Sequence, residues 1–144
     1  MRRRVLFVCV HNSARSQMAQ ALMNHICGES FEAESAGIEP GDLNPSAIAA
    51  MAERGIDIAG ARTRSVFDVY KAGELFEFVI TVCDREAAER CPIFPGVVKR
   101  EQWSFEDPAS FVGSEKERLA CTRAVREEIE AKVREWCGSI AASG

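Results

Sequence analysis

Apolar positions along the chain form short runs, separated by longer stretches in which they recur every three or four residues. The short runs predict strands, because they are either continuously apolar, as in a buried strand, or alternate between two faces. They occupy residues 5–8, 31–35, 78–82 and a segment from 97 towards 103. The longer stretches predict helices between these strands.

Two helices are predicted in the first half of the chain. After the first strand, Met18, Leu22 and Ile26 recur at intervals of four, which is typical of one apolar helix face. A second helix is predicted to start at Pro45, because proline suits the first helical position, and to end at Gly55. A short segment over residues 66–70 precedes the third strand.

The last helix is predicted over residues 114–136, where Ser114 and Glu117 form a capping box. Its apolar face is predicted to consist of Cys121, Val125, Ile129, Val133 and Trp136. Strands that alternate with helices predict one α/β domain over residues 1–144, a four-stranded parallel sheet with helices on both faces. In such sheets, ligands bind beyond the carboxyl ends of the strands.

A candidate anion site lies where the first strand passes into the first helix. Residues 9–15 read Cys-Val-His-Asn-Ser-Ala-Arg, a cysteine and an arginine separated by five residues. A tight loop there points backbone N–H groups inward, and the helix N-terminus adds partial positive charge. Arg15 can hold two oxyanion oxygens in a bidentate fork, and the same field favours the nucleophilic thiolate of Cys9. The predicted oxyanion-binding residues are Val10, His11, Asn12, Ser13, Ala14, Arg15 and Ser16.

Several loop residues carry more specific expectations. Asn12 and Ser13 are predicted helix N-caps, and Ser16 is predicted to donate a hydrogen bond to the Cys9 thiolate. His11 is expected to contribute its backbone rather than its ring. A cysteine in a buried strand is common, and the spacing alone arises by chance, but the flanking strand and helix favour a functional site. A nucleotide-binding P-loop is excluded because its glycine-lysine motif is missing.

Two further cysteines are candidates for chemistry. Cys83 follows the third strand, so the parallel topology predicts that its thiol and that of Cys9 face the same crevice. Cys91 lies eight positions later and could meet Cys83 if the intervening segment rearranges. The alternative is that one or both are core residues. A relay between them requires that segment to be more mobile than the sheet.

The remaining three of the six cysteines are predicted to be structural. Cys27 and Cys121 are expected to be small core residues, and Cys137, near the chain end, is expected to be exposed and incidental. No C-x-x-C motif occurs, and neither histidine has a zinc-like spacing from a cysteine pair. No metal site is therefore predicted.

A candidate general acid follows the aromatic residues 103–105. Asp107 stands in the sequence Glu-Asp-Pro of residues 106–108, and a carboxyl group in a loop near apolar rings can serve as a general acid. An Asp-Pro pair is otherwise an ordinary turn, so this motif is weak by itself.

Composition narrows the class of protein. Hydrophobic residues make up 47% of the chain and charged residues 28%, with a net charge of −4. These values are typical of a soluble globular protein and do not favour nucleic-acid binding. The apolar run after the N-terminal arginines is too short for a signal peptide, and no stretch is long enough to span a membrane. We therefore expect a cytoplasmic monomer whose thiols are kept reduced.

Four groups of residues together resemble a known family, the arsenate reductases built on the low molecular weight protein tyrosine phosphatase fold. The groups are residues 9–19, Ser35-Ala36-Gly37, Cys83 with Cys91-Pro92, and Trp103 with Asp107-Pro108. The resemblance spans nearly the whole chain. It implies an enzyme of arsenic detoxification that reduces arsenate to arsenite and has no tightly bound cofactor.

The resemblance also implies a role for each site residue. Cys9 attacks arsenate while Arg15 and the loop amides hold the oxygens, and Asp107 protonates the leaving oxygen. Cys83 then attacks Cys9 and releases arsenite, and Cys91 moves the disulfide to Cys83–Cys91. Thioredoxin, or a glutaredoxin system as second choice, restores the thiols. Phosphate and sulfate are expected mimics of arsenate.

Two rival functions follow from the same residues. A tyrosine phosphatase shares the loop and Asp107, but such enzymes usually follow Asp-Pro with tyrosine, where this chain has Ala109. A non-catalytic oxyanion-binding or redox-sensing module is the second rival, and Asp107 far from the loop would favour it. Family members with a potassium site carry a glutamate where this chain has Gln20, and an aspartate is missing from residues 63–65. These departures argue against potassium binding.

Overall fold

The structure is a computed structural model that describes residues 2–143, and the side chains of residues 2–140. Four parallel strands form one sheet in the order β2-β1-β3-β4. They are β1 (Arg3–Cys9), β2 (Phe31–Gly37), β3 (Phe78–Thr81) and β4 (Lys99–Gln102). The predicted four-stranded parallel α/β fold is therefore confirmed, and each strand overlaps a predicted run.

Helices connect the strands. They are α1 (Arg15–Cys27), α2 (Pro45–Ala52), α3 (Val66–Lys71), α4 (Arg85–Ala88) and α5 (Glu115–Ser143), with a 3-10 turn over Pro108–Ser110. The predicted capping box is present, since Ser114 Oγ accepts the Glu117 N–H at 3.1 Å and Glu117 Oε1 accepts the Ser114 N–H at 3.2 Å. None of the helices in the described part of the chain is long and apolar enough to cross a membrane.

The core lies on both faces of β1. Val5, Leu6, Phe7 and Val8 are all fully buried, which requires that both faces of the sheet are covered, since successive side chains point to opposite faces. At one side, the ring of Trp136 packs against Phe31, Phe78 and Trp103 at centroid distances of 5.0, 5.0 and 6.3 Å.

Glu101 of β4 satisfies the polar groups of this aromatic cluster. One carboxylate oxygen accepts the indole N–H of Trp103 at 3.2 Å, and the other accepts that of Trp136 at 2.7 Å. Both tryptophans are 5% exposed, so burial would otherwise leave their N–H groups unpaired. The C-terminal part of α5 is thereby fixed to the edge of the sheet.

The predicted apolar face of α5 is wrong at its first position. Cys121 is exposed, and the neighbouring Thr122 is fully buried instead. At about 100° per residue, a position eight residues before Ile129 lies roughly 80° from it around the helix, whereas one seven residues before lies within about 20°. The helical period therefore turns Thr122, not Cys121, towards the core.

The expectations for two other cysteines also need correction. Cys27 at the end of α1 and Cys137 in α5 form a disulfide with a Cα–Cα distance of 6.6 Å. Cys137 is thus neither free nor incidental. The two residues lie 110 positions apart, and they meet because α1 and α5 pack against each other.

Candidate active site

Cys9 is the last residue of β1 and lies at the floor of the loop that leads to α1. Its side chain is buried, at 2% exposure. The Sγ atom lies 2.8 Å from Ser16 Oγ, in agreement with the predicted contact, and accepts the Asn12 N–H at 3.1 Å. Two donors therefore converge on the sulfur, an arrangement that stabilises a thiolate.

The backbone of residues 38–44 gives the loop its orientation. Four loop carbonyls accept hydrogen bonds from N–H groups of this neighbouring segment, at 2.7–3.1 Å. The pairs are Cys9 with Ile38, Val10 with Glu39, His11 with Gly41, and Ser13 with Asn44. With those carbonyls bound to that segment, we expect the loop's own N–H groups to point away from it, and that of Asn12 donates to Cys9 Sγ. Successive inward amides form a concavity suited to an anion.

Asn12 has a different role from the predicted N-cap. It has a positive φ of 54° and is fully buried, and α1 begins three residues later at Arg15 without a side-chain cap. The Asn12 amide group donates to Ser16 Oγ at 2.7 Å. Its carbonyl oxygen accepts from Gln17 Nε2 at 3.2 Å and from the Arg64 N–H at 2.9 Å. Asn12 therefore ties the loop to α1 and to the chain before α3, and the N-cap predictions for Asn12 and Ser13 are wrong.

Gly37, the last residue of β2, packs closely against the backbone of this loop. A Cβ atom added there would lie 2.8 Å from the Asn12 nitrogen and 2.9 Å from atoms of Val10 and His11. These are backbone atoms, which cannot move aside cheaply. The close approach explains why the Ser35-Ala36-Gly37 sequence ends in glycine.

Arg15 and Asp107 meet at the mouth of the loop. Arg15 Nη2 lies 3.4 Å from Asp107 Oδ2, and Arg15 Nη1 donates to the Phe105 carbonyl at 3.3 Å. The other oxygen of Asp107 accepts the Ala109 N–H at 3.0 Å. One carboxylate therefore caps the following 3-10 turn and also contacts Arg15 of the loop. A general acid for a substrate bound in the loop is expected at such a position. The Arg15 side chain is largely buried, which limits screening of its charge.

The ring of His11 points away from the anion concavity. Its Nδ1 atom lies 2.8 Å from the Glu39 carbonyl, and the residue is exposed. This position agrees with the expectation that His11 contributes its backbone. The carbonyls of Val10, Ser13 and Ala14 likewise accept main-chain hydrogen bonds, while the side chains of Val10 and Ala14 pack into the core.

Cys83 lies two residues beyond β3 and is fully buried. Burial raises the pKa of its thiol to about 11, while the positive charge of Arg15 lowers it and a negative charge on Cys9 raises it. Cys9 ends β1 and Cys83 follows β3, and because these strands pair in parallel, both residues lie at the same edge of the sheet. The crevice shared by the two thiols stays a prediction.

Cys91 lies beyond α4, the short helix that starts after Cys83. Asp84 caps this helix by accepting the Ala87 N–H at 2.8 Å. Cys91 is 5% exposed, and burial raises the pKa of its thiol, whereas the guanidinium of Arg100 lowers it. Its negative charge in turn raises the pKa of Cys83, so the two thiols lie within electrostatic reach of each other.

Three residues near the site have contacts that were not predicted from the sequence. Gln17 donates to Asn12 and to the Arg62 carbonyl, Arg64 donates its N–H to Asn12, and Gln20 accepts from the Ser35 hydroxyl. Gln17 is 2% exposed. Gln17 lies two residues after the arginine of the motif and next to Met18 of the predicted apolar face, and this position was the signal available for its role.

Known proteins are similar to this chain in sequence and in fold. The low molecular weight phosphotyrosine protein phosphatase family matches residues 4–143. The arsenate reductase of Bacillus subtilis strain 168 is 41% identical over 133 residues, which cover 92% of this chain and 93% of that protein. An arsenate reductase solved in its phosphate-binding state matches with a TM-score of 0.79 at 28% identity, over 96% of this chain and 98% of that one. A thioredoxin-dependent arsenate reductase of Corynebacterium glutamicum matches with a TM-score of 0.73 at 32% identity, over 99% of this chain and 63% of that one.

Proposed function

The chain belongs to the low molecular weight phosphotyrosine protein phosphatase family, and on that premise we propose that it is an arsenate reductase. The observation that carries this proposal is the second buried thiol, Cys83, at the edge of the sheet where Cys9 lies. Reduction of pentavalent arsenic requires two electrons, which a pair of thiols can supply. Hydrolysis of a phosphate ester requires only the first thiol.

The first step is binding and attack. The inward amides of residues 10–16 and the Arg15 guanidinium hold the oxygens of arsenate, a tetrahedral oxyanion like phosphate. The Cys9 thiolate attacks the arsenic atom, and Asp107 gives a proton to the departing oxygen, which leaves as water. The product is an adduct with a bond between sulfur and pentavalent arsenic.

The second step is the reduction. The Cys83 thiolate attacks the sulfur of Cys9, and the electron pair of the sulfur–arsenic bond passes to arsenic. Arsenic is reduced from the pentavalent to the trivalent state and leaves as arsenite, and the two thiols are oxidised to the Cys9–Cys83 disulfide. Atoms and electrons balance without a bound cofactor.

The third step frees the nucleophile. The Cys91 thiolate attacks Cys83, the Cys9–Cys83 bond breaks, and Cys9 is restored as a thiolate. The remaining Cys83–Cys91 disulfide is reduced by an external dithiol protein. Thioredoxin is our first choice because a thioredoxin-dependent reductase is among the similar structures. A glutaredoxin system is the second choice. We further propose that the enzyme acts in the cytoplasm, where these reductants are supplied, and that it acts as a monomer.

The rival function is hydrolysis of aryl phosphates. The loop and the Arg15–Asp107 pair suit both reactions, since phosphate and arsenate have similar shapes. Ala109 provides no aromatic ring after the Asp-Pro pair, where a phosphatase would hold an aryl substrate. The second thiol has no use in that reaction.

The deciding experiment measures arsenate-dependent NADPH oxidation with thioredoxin and thioredoxin reductase. We expect the unchanged protein to turn over steadily and Cys91→Ser to stop after about one cycle per molecule. Cys121→Ser is the matched control, because that thiol is exposed and lies outside the site, and it should turn over normally. The proposal is refuted if the unchanged protein fails to turn over arsenate yet hydrolyses an aryl phosphate at a rate that Cys91→Ser leaves unchanged.

A further inference from the structure

The segment that carries Cys83 and Cys91 is fastened to β4 at both ends. Near its start, Gln102 Nε2 donates to the Cys83 carbonyl at 2.6 Å. Near its end, Arg100 Nη2 donates to the Ala88 carbonyl at 3.1 Å and to the Cys91 carbonyl at 3.5 Å. Side chains of this edge strand therefore hold the main chain of the thiol segment.

The contact of Arg100 falls where the segment has least support of its own. The helix α4 has only four residues, so its last carbonyls lack full intrahelical partners. Ala88 O accepts the Cys91 N–H at 3.2 Å in addition to the Arg100 contact. One guanidinium thus binds the main-chain carbonyls of both the last helical residue and Cys91.

Arg100 also dominates the charge around Cys91. Burial raises the pKa of that thiol, and the Arg100 guanidinium lowers it. The other titratable group facing it is the Cys83 thiol, which is itself buried. The adjacent Arg90 is paired with Glu39 at 3.5 Å, so its charge is partly neutralised.

We propose that Arg100 is a positioning residue for the third step of the reaction, in which it holds Cys91 against Cys83 and favours the attacking Cys91 thiolate. This inference rests on the proposed function. In the step, Cys91 loses its proton, a Cys83–Cys91 bond forms, the Cys9–Cys83 bond breaks, and Cys9 leaves as a thiolate that takes up a proton. No net oxidation occurs, so no further reactant is needed.

The test is a single turnover of the reduced protein with arsenate and no external reductant. Thiols are trapped at intervals with an alkylating reagent, and peptide mass spectrometry separates the Cys9–Cys83 from the Cys83–Cys91 disulfide. The variants are Arg100→Gln, which removes the charge, and Arg100→Lys, which keeps it. Lys99→Gln is the control, because Lys99 is the neighbouring exposed cation of β4 and contacts Glu101 instead.

For Arg100→Gln we expect the Cys9–Cys83 disulfide to form at the normal rate, but its transfer to Cys91 at pH 7 to slow about tenfold, because a smaller fraction of Cys91 is then thiolate. The defect should stay constant up to about pH 9 and shrink only at higher pH, where Cys91 of the unchanged protein ionises, and Arg100→Lys should recover most of the rate. A merely structural defect would not follow pH in this way.

Two failures are distinguishable. If the unchanged protein forms no disulfide with arsenate, the proposed function is wrong and the inference about the third step is overturned with it. If it completes the relay, but Arg100→Gln matches Lys99→Gln at every pH, only the role of Arg100 is overturned. A measurement without arsenate adds a check: in a Cys83→Ser background, Arg100→Gln should raise the midpoint of the pH profile for Cys91 alkylation, and an unshifted midpoint overturns the proposal.

Discussion

The sulfur of Cys9 lies 2.8 Å from the hydroxyl oxygen of Ser16, and that hydroxyl also accepts a hydrogen bond from Asn12 at 2.7 Å. Since the Asn12 side chain donates to the Ser16 oxygen, the Ser16 proton is left to point at the sulfur. The pair of contacts therefore orients a donor towards the nucleophile before any substrate binds.

The first prediction concerns this donor. A hydrogen bond to a charged acceptor contributes about 1.5–3 kcal/mol, and about 1.4 kcal/mol corresponds to a factor of ten. We expect Ser16→Ala to slow alkylation of Cys9 by iodoacetamide at pH 7 by about tenfold, measured by peptide mass spectrometry. Ser30→Ala, in the exposed turn before β2, is the control and should react normally. Equal rates for both variants would show that Ser16 does not support the thiolate.

The second prediction concerns the close approach of Gly37 to the loop. In Gly37→Ala the new methyl group would lie within 2.9 Å of three backbone atoms of residues 10–12, so the loop must shift. We expect a loss of about 1–3 kcal/mol in the free energy of unfolding, as for overpacking, and weaker phosphate binding by calorimetry. Gly60→Ala is the matched control, because its added methyl group meets no atom within 4 Å. Unchanged phosphate binding in Gly37→Ala would contradict the prediction.

The third prediction concerns the proton donor. Asp107→Asn keeps the shape of the side chain, and its amide oxygen can still cap the 3-10 turn, but it cannot supply a proton. General acid catalysis typically contributes about 10²–10⁴-fold, so we expect kcat/KM for arsenate to fall by at least about a hundredfold. Glu106→Gln, the adjacent carboxylate, is the control and should remain within about twofold of the unchanged protein in the same assay. A loss shared by both variants would point to local electrostatics rather than proton transfer.

The fourth prediction concerns pH. Burial raises the pKa of Cys83 to about 11 from an ordinary value of 9.0, so this thiol is protonated at neutral pH. Its thiolate fraction grows about tenfold for each unit of pH below that value. In Cys91→Ser, single-turnover formation of the Cys9–Cys83 disulfide should therefore accelerate with a slope near one between about pH 7 and 9. A rate that is constant over this range would show that another step limits the reduction.

The raised pKa of Cys83 also makes the free energy of unfolding depend on pH. Because the folded state raises the pKa of Cys83, its contribution to stability is fully present below about pH 9 and is lost as the pH rises towards 11. Chemical denaturation of Cys83→Ala and of the unchanged protein should therefore give stability curves that differ in slope only above about pH 9. Identical slopes above about pH 9 would contradict the raised pKa of Cys83.

The fifth prediction concerns the disulfide between α1 and α5. Closing a long loop with a disulfide typically stabilises a protein by about 2–4 kcal/mol, and this one spans 110 residues. We expect Cys137→Ser to lower the free energy of unfolding by that amount while arsenate turnover persists, because the bond lies far from the loop along α1. Cys121→Ser should leave stability within about 0.5 kcal/mol. Non-reducing mass spectrometry checks the bond directly, and its absence in the purified protein would contradict the prediction.

The sheet could be predicted from the sequence because each strand carries its own pattern. Residues 5–8 are continuously apolar and residues 78–82 are apolar except at Thr81, and parallel pairing then brings the residues after them to one edge. This reasoning places Cys83 near Cys9 without any knowledge of side-chain contacts. The capping box of Ser114 and Glu117 could be predicted for the same reason, since both partners lie within one helical turn.

Contacts between distant parts of the chain could not be predicted in this way. The role of Asn12 depends on a positive φ and on the N–H of Arg64, 52 residues later. The disulfide joins residues 110 positions apart, and six cysteines allow fifteen complete pairings. Arg126, a charged residue on the buried face of α5, is bound by the Ala50 carbonyl of α2 at 2.7 Å and by Glu53, the residue after α2, at 3.1 Å.

The composition of β4 affects how readily the edge of the sheet associates with another chain. This strand pairs with β3 on one side and is the last in the sheet, and its residues Lys99–Gln102 are all polar. A charged edge resists the addition of a strand from another molecule, which is a common start of aggregation. If the thiol segment leaves β4 during the relay, the edge that remains is therefore a poor template for association between chains. The strand whose side chains bind the segment would thus also protect the molecule from association.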